Sequence, residues 1–134
     1  MALDLLSGAK QDLAALRLTD PDAHATVVAF LAEADADEEL IGKCTSEGTV
    51  EIGPYRVSAV PWHAARRRGD NLFRFRVFDT PATDYRIVYG YDWRTRRIGI
   101  LAVVHKGKFD YAISTGLADR IRDDWRGATD GRLT

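Results

Sequence analysis

Three runs of strand-like sequence, Leu72–Phe78, Tyr85–Tyr91 and Ile98–Val104, are joined by two connectors of only six residues, Asp79–Asp84 and Asp92–Arg97. A parallel crossover needs a dozen residues or more, so links this short and rich in turn formers predict antiparallel neighbours. In the first run the strand period of two sends Phe73, Phe75 and Val77 to one face and Arg74 and Arg76 to the other. In the second, Tyr85, Ile87, Tyr89 and Tyr91 oppose Arg86, Val88 and Gly90. An aromatic face of this kind demands a cover, which leaves Arg74 and Arg76 side by side on the open face, about 7 Å apart at the backbone. With Arg86 pointing the same way, three guanidinium groups converge. The third run is apolar almost throughout, as in a strand covered on both faces. It empties into His105-Lys106-Gly107-Lys108-Phe109-Asp110-Tyr111, an imidazole, two ammonium groups and a phenol on a loop held by a rigid sheet.

The cover comes from the first third of the chain. Leu5, Leu6, Leu13 and Leu16 stripe an Ala-rich helix that ends at Thr19-Asp20-Pro21. Pro21 suits the first turn of a second helix through Val27, Val28, Phe30 and Leu31, and a short third is expected from about Asp37 to Lys43. A β-like piece, Thr49–Ile52, lies between the turn signals Ser46-Glu47-Gly48 and Gly53-Pro54, and Trp62–Arg68 suits one or two helical turns ended by Gly69. Leu117, Ile121 and Trp125 at i, i+4 and i+8 mark a closing helix from Ser114 to Arg126, followed by a loose tail. No opening strand is expected before the first helix. The 134 residues therefore predict one α+β domain, with N-terminal helices packed on a small antiparallel sheet and a C-terminal helix: a helical acidic part over 1–44, a basic sheet part over 45–113 and the closing helix over 114–126.

The formal net charge of −1 conceals a division. Residues 1–53 carry 11 acids and 3 bases, whereas residues 54–134 carry 16 bases and 9 acids. Such a split implies either a polyanion partner for the basic part or neutralisation of one half by the other. Arginine dominates the basic part, and its planar fork grips phosphate through two parallel hydrogen bonds. The run Arg66-Arg67-Arg68 reads either as a solvated turn or as a contact to the phosphates of such a polyanion.

Other chemistries are excluded or disfavoured. His24, His63, His105 and Cys44 have no metal-ligand spacing, and no phosphate-binding glycine loop is present, so neither a metal nor a cofactor is expected. His24 and His63 read as structural or surface residues and Cys44 as inert. A single cysteine fits the cytoplasm. The longest apolar stretch, Ile98–Val104, is about a third of a membrane span, and Asp4, Lys10 and Asp12 interrupt any secretory leader. Trp62 and Trp125 suit a core; Trp93, in a hairpin turn, is expected to be exposed.

Taken in order, Leu72-Phe73-Arg74-Phe75-Arg76-Val77, Asp84-Tyr85-Arg86-Ile87-Val88-Tyr89, Ile100-Leu101-Ala102-Val103-Val104-His105-Lys106 and Phe109-Asp110-Tyr111 resemble the RelE/ParE superfamily of bacterial toxins, over roughly residues 55–125. The resemblance implies a RelE-like toxin of a toxin–antitoxin system, a metal-independent endoribonuclease that cleaves mRNA on the ribosome. In that chemistry the 2′-hydroxyl attacks the neighbouring phosphate, leaving a 2′,3′-cyclic phosphate and a free 5′-hydroxyl. It implies Arg74 and Arg76 on the RNA backbone, Arg86 on the scissile phosphate, His105 or Lys106 at an acid or phosphate-stabilising position, and Tyr111 in proton transfer or base stacking, with Lys108 a further phosphate contact. The implied partners are a cognate antitoxin, in a hetero-oligomer, and mRNA. Two alternatives stay open: a ParE-like toxin that inhibits gyrase, and a non-catalytic protein-binding domain of the same fold.

Overall fold

The computed structural model describes residues 3–108 and 116–129. In chain order its elements are β1 (Leu3–Leu5), α1 (Ser7–Thr19), α2 (Pro21–Ala36), α3 (Leu40–Cys44), β2 (Gly48–Ile52), β3 (Tyr55–Pro61), α4 (His63–Arg66), β4 (Leu72–Val77), β5 (Tyr85–Asp92), β6 (Arg97–His105) and α5 (Gly116–Ala128). Asp20 both ends α1, its N–H donating to the Leu16 carbonyl, and caps α2, its carboxylate accepting from the Ala23 N–H at 3.2 Å. Pro21 occupies the first turn, where its missing N–H costs nothing.

The fold is α+β, but the sheet is larger than the sequence suggests and is mixed. Six strands lie in the order β1-β6-β5-β4-β3-β2. Four pairings are antiparallel, including β4–β5 and β5–β6, as the short connectors predict. The fifth joins β1 parallel to β6, Asp4 opposite Gly99. The expectation of no opening strand is thus corrected: Leu-Asp-Leu is too short to display a period, and a long-range partner creates the strand. The Thr49–Ile52 piece becomes one arm of a β2–β3 hairpin that extends the far edge.

One face of the sheet lies under α1, α2 and α3. Phe75 meets Phe30 edge to face at 5.3 Å and stacks on Tyr89 at 4.1 Å, while Tyr89, fully buried, donates its hydroxyl to the Cys44 carbonyl. Phe73, Val77, Ile87, Ile98 and Ile100 complete this core with Val27, Leu13 and Leu16. A second, smaller cluster lies on the other face, where Leu72, Val88, Leu101 and Ala102 are covered by Trp62 and Ala65 at α4 and by Ala118, Ile121 and Trp125 of α5. The Trp125 ring rests on Gly90 and Gly99, direct cross-strand partners. A Cβ on Gly90 would come within 2.8 Å of the indole, so the slot needs residues without side chains.

A β-bulge breaks the alternation of β6. Val88 pairs with Ala102 and Tyr89 with Ile100, leaving Leu101 as the extra residue. Leu101 and Ala102 consequently both face α5, and Val103 turns back to the α1 side. Asp12 of α1 stabilises this step by accepting the Val103 N–H at 2.9 Å. It also takes a two-pronged pair from Arg120 of α5 at 3.0 and 2.8 Å, so α1, the bulge and α5 are tied at one point. No described helix is long and apolar enough to cross a membrane.

Candidate functional site

The α5-bearing face carries the arginines. On β4, Arg74 and Arg76 follow Leu72 at two-residue intervals, opposite in direction to the buried Phe73 and Phe75. Arg74 lies between Val60 and Val88, and Arg76 beside Ser58. Continuing the β4–β5 register by two residues beyond Arg74–Val88 sets Arg76 opposite Arg86, which shares its side of β5 with Val88. The three guanidinium groups thus rise from two adjacent strands on one side of the sheet.

Their local partners differ. Arg74 donates to the Ser58 hydroxyl at 3.2 Å, and Arg86 to the carbonyls of Thr83 and Tyr85 at 3.1 Å each. Arg76 lies 5.0 Å from the centre of the Phe78 ring, which Arg56 of β3 also covers at 4.4 Å. Neither Arg74 nor Arg76 joins an ion pair among the described residues, and the Nε of each is buried without a hydrogen-bond partner there. A guanidinium has five N–H donors and no acceptor, and because no carboxylate among the described residues neutralises Arg74 or Arg76, both keep positive charge on this face for an anion.

Lys106 pairs with Asp84 at 3.1 Å, and its N–H donates to the Asp84 carbonyl. The side-chain hydrogen bond from the Lys106 ammonium, then its charge, with smaller help from the charges of His105 and Arg76, holds the Asp84 carboxyl below its ordinary range. The pair therefore lies within electrostatic reach of Arg76.

His105 does not join this group. It pairs directly with Tyr85, whose ring it meets edge to face at 5.3 Å, and Tyr85 belongs to the α1 side, its hydroxyl bonded to Asp20. The cause is the bulge: strict alternation from Ile98 would send His105 to the arginine side, and the extra Leu101 reverses it. The imidazole Nδ1 accepts the Gly107 N–H at 3.1 Å, and with Lys108 and Asp12 it lines a shallow groove of about 290 Å³ beside α1. Lys108 thus stands with His105 and not with the arginines. Tyr111 lies outside the described residues.

Sequence reasoning missed Arg56, Ser58 and Phe78 as parts of the basic face. Arg-Val-Ser-Ala-Val alternates, but only the hairpin to β2 makes it visible as a strand. The charge division is settled in part: Asp4–Arg97 and Asp12–Arg120 join the acidic and basic parts, while Arg74 and Arg76 stay out of such pairs among the described residues. No three His, Cys, Asp or Glu side chains among the described residues are grouped to share a metal ion. No protein-family model matches the chain, and neither a curated protein nor a solved structure matches it.

Proposed function

We propose that the chain is a RelE-like toxin whose open guanidinium face binds the RNA backbone and promotes metal-independent cleavage of mRNA, restrained in the cell by a cognate antitoxin. The observation that carries the reading is the joint presentation of Arg74, Arg76 and Arg86 on one side of β4 and β5, with neither Arg74 nor Arg76 in an ion pair among the described residues.

In the proposed reaction the 2′-oxygen forms a bond to phosphorus as the bond to the 5′-oxygen breaks. The 2′-hydroxyl proton passes to solvent water, and water returns a proton to the departing 5′-oxygen. Negative charge accumulates on the phosphorane, and fixed cations aimed at it lower the barrier. Arg76 and Arg86, facing each other across the strand pair, take that role, with Arg74 and Lys106 holding the flanking backbone. His105, on the α1 side, is not assigned to proton transfer. The weight of the mechanism thus falls on electrostatic stabilisation.

Purified protein incubated with a defined transcript in EDTA, with and without ribosomes, tests this. Discrete ends bearing a cyclic phosphate and a 5′-hydroxyl are expected from the parent and from His105→Ala. Their rate should fall by at least about 10²-fold in Arg86→Ala, as for loss of one oxyanion donor. The position of His105 favours a second reading, an RNA-binding domain without cleavage. It predicts salt-sensitive binding that weakens in Arg74→Ala and Arg76→Ala, with intact transcripts throughout.

A further inference from the structure

The opposite end of the sheet carries a second basic surface. The β5–β6 turn presents Trp93, Arg94 and Arg96, and Trp93 is 57% exposed, whereas Trp62 and Trp125 are buried. The turn is well defined: Asp92, buried, accepts the Arg94 N–H at 3.1 Å, and Arg96 holds a left-handed φ of 56°. Arg94 places its guanidinium 5.0 Å from the Trp93 ring centre, so one side of the indole is already engaged by a cation. A tryptophan held this way has an apolar ring in water and a phosphate-binding group beside it.

A second arginine group lies at the same end. Asn71 and Tyr91 exchange hydrogen bonds, the Tyr91 N–H to the Asn71 carbonyl and the Asn71 amide to the Tyr91 carbonyl at 3.1 Å each. This brings the turn before β4 alongside the end of β5. That stretch holds Arg66 at the end of α4, its guanidinium 5.3 Å from the Phe73 ring centre, and Arg67 and Arg68 just beyond it, all exposed. None of these three, nor Arg94 or Arg96, takes part in an ion pair among the described residues. The acids nearby are occupied: Asp70 binds Arg122 and Arg126, and Asp92 is turned inward. Arg86 and Asp92 stand six residues apart on β5, so this surface lies about 20 Å from the Arg86 end of the strand.

We infer that this end of the sheet is a second RNA contact that takes an unpaired base on Trp93 and its flanking phosphates on Arg94, Arg96 and the Arg66–Arg68 turn. Base stacking on an exposed aromatic ring with adjacent cations is the usual chemistry of single-stranded recognition, and it needs no particular sequence. The inference rests on the reading of the chain as an RNA-binding protein, yet it uses none of the residues of the cleavage face. Its consequence is that substrate RNA is held at two places, with an unpaired segment at the turn.

Tryptophan emission in the full-length protein tests it directly, because Trp93 is the exposed indole of the three. A ten-nucleotide oligouridine should quench that emission and protect it from iodide, and an RNA duplex at equal phosphate concentration should do neither. Trp93→Ala should weaken oligouridine binding roughly 5- to 150-fold, the range of one lost base stack, while Trp93→Phe keeps most of the affinity. Equal quenching by duplex and single strand, or an unchanged affinity in Trp93→Ala, overturns the inference. In the Arg74→Ala/Arg76→Ala/Arg86→Ala variant the quenching should persist even where cleavage is lost. If quenching vanishes there, bases reach Trp93 only by way of the sheet face, and a separate contact is refuted.

Discussion

The two faces of the sheet are made by the same alternation and meet opposite fates. On one, Phe73, Phe75, Ile87 and Tyr89 lie under α1 and α2, helices of 13 and 16 residues that run about 20–24 Å. On the other, α4 has four residues and reaches only the start of β4, while α5 packs over β6 and the glycine end of β5. Arg74, Arg76 and Arg86 follow beyond those covers, each half-buried by its strand neighbours. Length of cover, not strand composition alone, decides which alternate residues become core and which stay open at the surface.

The strongest way to break this comparison is a pair of substitutions one residue apart. Phe75→Ala removes a ring held between Phe30 and Tyr89 and should cost about 3–5 kcal/mol in a urea unfolding series. Arg76→Ala should change stability by less than about 1 kcal/mol and instead weaken RNA binding, lowering the steepness of its salt dependence by about 0.7 for a single strand. Similar stability losses from both would make the arginine face part of the structural core.

The next test concerns the shorter cover. Asp70 is buried and accepts from Arg122 Nε at 3.1 Å and from Arg126 Nε and a terminal nitrogen at 3.1 and 3.0 Å, which fastens α5 to the turn before β4. Removing their shared partner strands Arg122, whose side chain is only 12% exposed, while Arg126, nearly half exposed, recovers water. Asp70→Ala should therefore cost roughly 2–4 kcal/mol, somewhat below the full value for a buried pair. The urea midpoint measures it, and an unchanged midpoint would show that Trp125 alone seats α5.

What could be read from the sequence divides along the same lines. The arginine and aromatic faces of β4 and β5 follow from local alternation, and the connectors give their pairing. A cap for α2 at Thr19 or Asp20, which the structure gives to Asp20, and the core positions of Trp62 and Trp125 are equally local. β1 was hidden because three residues carry no period, and β3 because its short alternation over Arg56–Val60 becomes a strand only through its partners β2 and β4 on either side. His105 is the instructive failure. Its side of the sheet depends on one extra residue, Leu101, in a run so apolar that no alternation marks the slip. The Asp12 and Arg120 contacts that hold the bulge come from residues 91 and 19 positions away.

A smaller effect sharpens the glycine slot under α5. Gly90→Ala puts a methyl group against the Trp125 indole, and the ring, packed also on Gly99, has little room to yield. Overpacking of this kind should cost about 1–3 kcal/mol, read as a lower melting temperature. The aromatic core on the opposite face should be untouched, so Phe75→Ala and Gly90→Ala should add nearly independently.

The smallest effects distinguish the faces by pH. Cys44, closed in beneath the covered face, has its thiol pushed up to about 12 by burial. The unfolded chain loses that proton first, so the contribution is intact below about pH 8.5 and declines as pH rises above it. Thiol modification at pH 9 should accordingly track unfolding, and rapid labelling of the native protein would show that the cover opens. Asp84 behaves in the opposite sense. Its carboxyl is held low first by the Lys106 hydrogen bond, so its contribution is present above about pH 3.9 and is lost as pH falls through the lowered value. Because Asp84 stands in solvent, Lys106→Ala should move its titration, followed by carboxyl NMR shifts, upward toward the ordinary range while the unfolding midpoint stays nearly fixed. A titration that does not move would mean that Arg76 and its neighbours set the field at that edge, and the cation cluster would then reach further along the strand ends than the Lys106 contact alone implies.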